Sequence, residues 1–414
     1  MERKTAITSA LFQREFLSVF IVVVNVLSWY FPLYILFESV LGEFQMGSTL
    51  LLVAFGVQFA AAICSAIIGT ALVKRFPSRD AYLSVWMFVG IIASVLLVTL
   101  ETFNVTYILL VSFLVGFSLG LGFPSCLAYF GDYSNVENRG RLAGITIFAS
   151  NLCVLVIGIV LSFSTLVVGA LILAVWRGLG LSLFLLTKSK QEHHKENVIE
   201  VSYKSVLRER TFLLYLVPWI MFCLINFLER PVVESFFGEE FSLFMTIAEL
   251  GIGGFVALLG GWFADSVGRK RIIIIGFIAL GIGFAILGLF QDITEFWYLY
   301  IVMDGVAWGI FLLMFYLVVW SELAGNRNKG KYYLIGLVPF LTASYIQVLF
   351  TPYAKLVEVS AAFSLASFFL FIAVLPLLYA PETMPQKQIE LKRLKKFADD
   401  AKKAKEKYER KGKG

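Results

Sequence analysis

Histidine, cysteine and charge are all scarce in this chain. Of 414 residues, two are histidine, four are cysteine and 15% are charged. An ordinary soluble domain is about 25% charged. So little charge leaves too little polar surface to face water, which excludes a soluble enzyme, a disordered chain and a nucleic-acid-binding protein. The two histidines, His193 and His194, are adjacent and have no cysteine or second histidine cluster beside them, so no metal site is expected. Cys64, Cys126, Cys153 and Cys223 all fall inside apolar runs, where cysteine acts as a small packing residue rather than a disulfide or metal partner. No G-x-x-x-x-G-K-S/T phosphate loop is present, so the chain does not burn ATP itself, and no cofactor is expected. The N-terminus lacks the short apolar core and cleavage site of a signal peptide, and the first apolar run reads as an uncleaved anchor.

What the chain has is apolar length. Apolar residues make up 59% of it, phenylalanine alone counts 40, and the mean hydropathy is +0.83. Twelve apolar stretches follow one another: 17–41, 49–73, 81–100, 104–130, 142–163, 165–187, 212–236, 241–264, 272–290, 296–320, 333–357 and 360–379. They are continuous rather than alternating. At about 1.5 Å per residue, most are long enough to cross about 30 Å of hydrocarbon as helices. Basic residues orient them. Placing both termini in the cytoplasm puts 32 of the 35 Lys and Arg on one side, the exceptions being Arg177, Arg230 and Lys355. The outer connections then carry mostly acids: Glu43, Glu101, Glu239, Glu240, Asp292 and Glu295. The tail, 381–414, holds 12 basic and 6 acidic residues. It reads as a solvated charged helix, with a surface helix on anionic lipid as the other reading.

The two halves repeat each other. GTALVKRFPSR (69–79) follows the second stretch and GWFADSVGRKR (261–271) the eighth, an offset of 192. GDYSNVENRGR (131–141) follows the fourth and SELAGNRNKGK (321–331) the tenth, an offset of 190. The expected organisation is an all-α membrane protein with twelve transmembrane helices in two six-helix, pseudo-symmetric bundles, 1–187 and 212–380. A cytoplasmic loop, 188–211, joins them, and the charged tail follows. Parallel repeats of this kind place a ligand site between the halves, near the membrane midplane.

These motifs resemble those of the major facilitator superfamily, over the whole chain. Gly261, Asp265, Gly268, Arg269 and Lys270 match that family's G-x-x-x-D-x-x-G-R-K loop signature. The acid-to-Arg-Gly pattern after the fourth and tenth stretches, and the Pro381-Glu382-Thr383 triplet, are similar to the sugar-porter branch. The first-half loop departs from the signature at Val73 and Phe76, and Asn135 and Gly325 stand where sugar porters have proline. The resemblance implies alternating access, a conformational lock and a solute cavity lined by the first, fourth, seventh and tenth helices. The lock residues it nominates are Gly261, Asp265, Gly268, Arg269, Lys270, Glu322, Lys329 and Glu382, with Asp132, Arg139 and Lys74 or Arg75 as the first-half version. The cavity it nominates contains Asn25, Trp29, Tyr30, Tyr34, Asn226, Glu229, Asp304 and Trp308.

Polar residues at mid-depth in the membrane are costly, and they usually face a cavity or a partner. Besides those already named, Gln58, Asn151, Glu249 and Gln347 fall there, and the amides have interhelical hydrogen bonding as an equal reading. Asp304 and Glu249 are the expected proton carriers, because desolvation favours the neutral carboxyl. Arg177 is expected to snorkel toward the cytoplasm. Its other readings are a bond to an anionic solute group or to a carboxylate of the other half. The glycine clusters 116–122, 249–254, 258–261 and 281–288 read as close helix packing. The function expected is secondary active transport of a small polar organic solute, a sugar or metabolite or a carboxylate, across the cell membrane. The proton is the expected coupling ion, with a monomer in the bilayer and no nucleic-acid partner. A drug or metabolite exporter, a non-transporting receptor and a membrane enzyme are the alternatives.

Overall fold

The computed structural model describes residues 14–43, 48–101, 104–188 and 198–384, with isolated positions at 390, 394 and 401. Arg3, Lys4, the pair His193 and His194, and nearly all of the tail beyond 384 lie outside the described residues.

Continuous apolar runs give helices because only a helix satisfies every backbone group internally in lipid. Among the described residues, twelve helices are long and apolar enough to cross a membrane. They are α1 Arg14–Glu43, α2 Ser48–Leu72, α3 Arg79–Leu96, α4 Val105–Tyr133, α5 Arg139–Ser162 and α6 Leu166–Thr187. The rest are α7 Arg210–Phe237, α8 Glu239–Val267, α9 Arg269–Phe290, α10 Thr294–Ala324, α11 Lys329–Phe350 and α12 Val359–Tyr379. All twelve fall on the stretches read from hydropathy, within a few residues at each end. The described residues hold no sheet; their one isolated β-bridge pairs Ile199 with Arg327. The chain is thus an all-helical, multi-pass membrane protein.

Packing runs mainly within each set of six. α1 packs on α4, α5 and α6, α2 on α4, and α3 on α4 and α6; later in the chain α9 packs on α10 and α12, and α7 on α11 and α12. The two sets meet where α5 runs along α8 and where α11 runs along α2 and α4. Glycine makes these approaches possible. A Cβ on Gly116 would lie 2.0 Å from the Gln58 carbonyl oxygen, and one on Gly120 1.9 Å from that of Ala62, so α4 can press against α2. A Cβ on Gly261 would lie 2.2 Å from the Gly140 carbonyl oxygen, so the first glycine of the loop signature is a contact point between α8 and α5. Asn151 crosses the same seam, its amide donating to the Leu250 carbonyl at 3.1 Å. α10 carries a π-helical stretch, Leu312–Val318, which is wholly buried.

Candidate functional site

The connections α2–α3, α4–α5, α8–α9 and α10–α11 all emerge at one end of the molecule, here termed the basic face. Asp265, at the end of α8, is 1% exposed. It accepts from the Gly140 and Arg141 backbone amides, each at 3.0 Å, and from Arg141 Nε at 3.0 Å. Those amides open α5, where the helix dipole favours an anion. Arg269 Nη1 lies 2.8 Å from the other carboxylate oxygen. Arg269 in turn reaches Glu322 at 3.2 Å and the Val136 carbonyl at 2.9 Å. Glu322 also faces Arg139 at 3.7 Å and accepts from Thr383 Oγ1 at 2.6 Å. Glu382 caps the start of α9, accepting from the Arg269 amide at 2.8 Å. Gly268 is required here twice over. Its φ is +115°, and a Cβ would sit 2.6 Å from the Glu382 carboxylate. Lys329 pairs with Asp132 at 2.5 Å, across the two sets of helices.

The structure therefore brings Asp132, Arg139, Asp265, Arg269, Glu322, Lys329 and Glu382 together. Lys270 stands beside them, its Nζ donating to the Ala380 carbonyl at 3.0 Å. The first-half set gains a member that was not expected: Asp132 pairs with Arg79 as well as with Lys329, because the end of α4 lies against the start of α3. Lys74 instead reaches Glu200 in the linker at 2.6 Å, and Arg75 is exposed.

The linker is the part that sequence reasoning missed. Residues 198–203 lie across both halves. Ile199 exchanges backbone hydrogen bonds with Asn326 and Asn328, each at 3.2 Å. Lys331 Nζ donates to the Val201 carbonyl at 2.6 Å, and the Tyr203 and Thr70 hydroxyls lie 2.5 Å apart. Burial raises the proton affinity of Glu200. Hydrogen bonds from Lys74 and Asn328, the Lys74 charge and Lys331 outweigh that and hold its carboxyl below the ordinary glutamate range. Glu200 is one of four glutamates in the 188–211 loop, and nothing in the sequence set it apart from the other three. A polar cleft of about 530 Å³ opens nearby, lined by Glu209, Arg210, Glu322, Arg327 and Glu382 among others.

At mid-depth the expected residues divide into three groups. Tyr30 of α1 faces Phe123 of α4 at 6.4 Å between ring centres. Phe123 faces Tyr316 of α10 at 6.2 Å, and Tyr316 faces Phe340 of α11 at 5.6 Å. Trp308 packs on Phe222 and Phe340, and Tyr34 meets Ser344 of α11 at 3.4 Å. These rings form an aromatic layer between the halves. The Tyr316 hydroxyl and Trp308 Nε1 have no hydrogen-bond partner among the described residues.

The second group is acidic and lies on α7, α8 and α10. Tyr300 donates to Glu229 Oε1 at 2.7 Å and lies beside Asp304. The Asp304 and Glu249 carboxyls are within hydrogen-bond reach of each other. Asp304 Oδ1, Glu249 Oε1 and Asn226 Oδ1 are buried without a donor among the described residues. Tyr300 was not foreseen, although it stands one helical turn from Asp304.

The third group corrects the reading of Arg177. The side chain does not snorkel: it is 0% exposed, with the Trp29 and Trp86 rings 4.7 and 4.6 Å from its guanidinium carbon. Nη1 donates to Asn25 Oδ1 at 2.8 Å, and the Asn25 amide donates to the Trp176 carbonyl at 2.9 Å. Glycines clear the space. A Cβ on Gly90, Gly122 or Gly180 would lie 2.9 Å from Arg177 Nε, 2.1 Å from the Trp86 ring or 2.2 Å from Asn25. Two rings and an amide hold the cation inside α1, α3 and α6, which removes the drive to reach water. Asn25 and Trp29 are thereby turned onto Arg177 and away from the aromatic layer.

Comparison with known proteins agrees with this architecture. The family model described as Major Facilitator Superfamily matches residues 18–335. Among solved structures, a proton:xylose symporter, XylE, bound to 6-bromo-6-deoxy-D-glucose superposes with a TM-score of 0.65 at 15% identity, covering 91% of this chain and 98% of that one. The human organic anion transporter MFSD10 (TETRAN) gives a TM-score of 0.67 at 13% identity, covering 88% and 99%. No curated protein matches in sequence.

Proposed function

Because the chain belongs to the Major Facilitator Superfamily, a family of transporters rather than enzymes, we propose that it is a proton-coupled secondary transporter of a small polar organic solute in the cell membrane. In this reading 1–187 and 212–380 are the two moving bundles, 188–211 joins them, and the basic face and both termini are cytoplasmic. The single observation that carries it is the set of contacts closing the basic face across the halves: Asp265 on the start of α5, Glu322 on Arg139 and Lys329 on Asp132. Alternating access needs contacts that exist in one state and break in the other, and an ionic network at one end of the seam between two helix sets is of that kind. The solute binds at the aromatic layer, to Tyr30, Tyr34, Trp308 and Asn226, whose rings and unpaired polar atoms suit an organic molecule with an apolar face.

Proton coupling rests on Asp304 and Glu249. Two touching carboxyls in a low-dielectric interior do not both stay charged, so the pair holds a proton that each conformational state can gain or release. Glu229 joins them through Tyr300. Likeness to the xylose symporter favours a sugar, and likeness to the organic anion transporter an organic anion. The test is uptake of labelled solutes into proteoliposomes under an imposed pH gradient. The expected result is gradient-driven accumulation in the parent, reduced to passive exchange in Asp304→Asn or Glu249→Gln. A parent that equilibrates solute without responding to the gradient removes the proton from the reading. A parent that moves no solute removes transport.

A further inference from the structure

Arg177 is a permanent cation deep in the first half, and the transport reading does not use it. A guanidinium keeps its proton in proteins, so neutralisation is not open to it. The Trp29 and Trp86 rings both lie within 5 Å of its guanidinium carbon, and Nη1 is taken by Asn25. What remains is the edge carrying the Nε and Nη2 hydrogens. Those hydrogens point the same way and form the fork that grips an anion with two parallel bonds. Neither nitrogen has a partner among the described residues. The titratable side chain that faces Arg177 is the Cys126 thiol of α4, not a carboxylate. The rings and Asn25 surround the cation, and no described residue satisfies its Nε and Nη2 edge.

We propose that this edge seats a small monatomic anion of the chloride class, enclosed by α1, α3, α4 and α6. Size and access argue for a monatomic ion. Arg177 is 0% exposed and closely enclosed, so the space beside it does not hold the carbon chain of an organic carboxylate. The backbone of Gly90 passes beside Nε, where even a Cβ would lie 2.9 Å away. A halide accepts hydrogen bonds from any direction and needs only one compact space. It supplies the opposite charge that a buried cation requires and that a neutral water molecule does not. The site would tie α6 to α3 without taking part in the lock at the basic face.

The experiment uses the purified full-length chain in detergent, with chloride, bromide, iodide or gluconate exchanged at constant ionic strength. The thermal midpoint is expected to rise saturably with chloride or bromide over gluconate, which is too large to enter. Iodide is expected to quench tryptophan fluorescence with a saturable component, because the ion would lie beside Trp29 and Trp86. In Arg177→Met both saturable components are lost, leaving only collisional quenching. Gly90→Ala keeps the charge but crowds the Nε edge, and loss of the saturable response is expected there too, which serves if Arg177→Met does not fold. A parent indifferent to the anion overturns the proposal and leaves a water-satisfied or bare edge. So does an Arg177→Met or Gly90→Ala variant that keeps the saturable response. None of these readouts depends on transport.

Discussion

Asp265 and Asp304 are equally buried, each 1% exposed, yet their surroundings are opposite. Asp265 is surrounded by donors: two backbone amides at a helix start and two guanidinium groups. Asp304 has another carboxyl and a phenol for company, and one of its oxygens has no donor among the described residues. A carboxylate held by four donors is fixed in place and acts as a structural pin. One with a carboxyl neighbour is the proton carrier of the transport cycle proposed above. The same residue type at the same burial therefore serves two purposes, and the neighbours on other helices decide which.

The largest effect expected from breaking this contrast is at Asp304. Asp304→Asn removes the titrating group, and gradient-driven accumulation should fall at least about tenfold while solute exchange persists; at about 1.4 kcal/mol per decade this is well within what one buried charge supplies. Loss of exchange as well would mean that Asp304 binds solute or holds helices together. Asp265→Asn comes next. Removing one partner of a buried ion network costs about 3–5 kcal/mol. The closed basic face should lose that stability, seen as a lowered thermal midpoint and as spin labels at Arg75 and Arg271 moving apart. An unchanged label distance would show that this pin does not hold the face shut.

Gly261→Ala tests the seam rather than the charges. Its Cβ would overlap the Gly140 carbonyl oxygen, and overpacking of this kind costs about 1–3 kcal/mol. α5 and α8 should separate and the Asn151–Leu250 bond weaken, measurable as faster reaction of a cysteine placed at Phe148. The smallest effect expected is at Glu200, whose side chain is about half exposed. Glu200→Gln should cost under about 1 kcal/mol. The sign of its pH dependence is set by the depressed carboxyl. Its contribution is complete above the ordinary glutamate value, about 4.3, and is lost as the pH falls through the lower value it has when folded. Proteolysis of the linker should accelerate in that acid window in the parent, and Glu200→Gln should flatten the dependence.

Hydropathy and the placement of basic residues were enough to count the helices and locate their ends, because the requirement to bury backbone polar groups in lipid acts on each stretch by itself. The repeat at offsets of 192 and 190 and the loop signature identified the family for the same reason: they are local strings. The signature also pointed to Asp265, Arg269, Glu322 and Glu382 as partners. It left open which helix start receives Asp265, since those donors are backbone amides and any residue could supply them. Only the tertiary structure decided where each isolated polar side chain points. Arg177 looked like a residue needing water until α1 and α3 brought two tryptophans and Asn25 around it, with Gly90, Gly122 and Gly180 making the room. Asn25 and Trp29 looked like cavity residues until that cation claimed them. Lys74 found Glu200 because the linker crosses its face, a contact separated by 126 positions that no spacing rule encodes. Helix formation is determined by the composition of each stretch. The partner of a lone charge is determined by the rotation and register of helices far away in sequence, which close packing fixes only once all twelve are assembled.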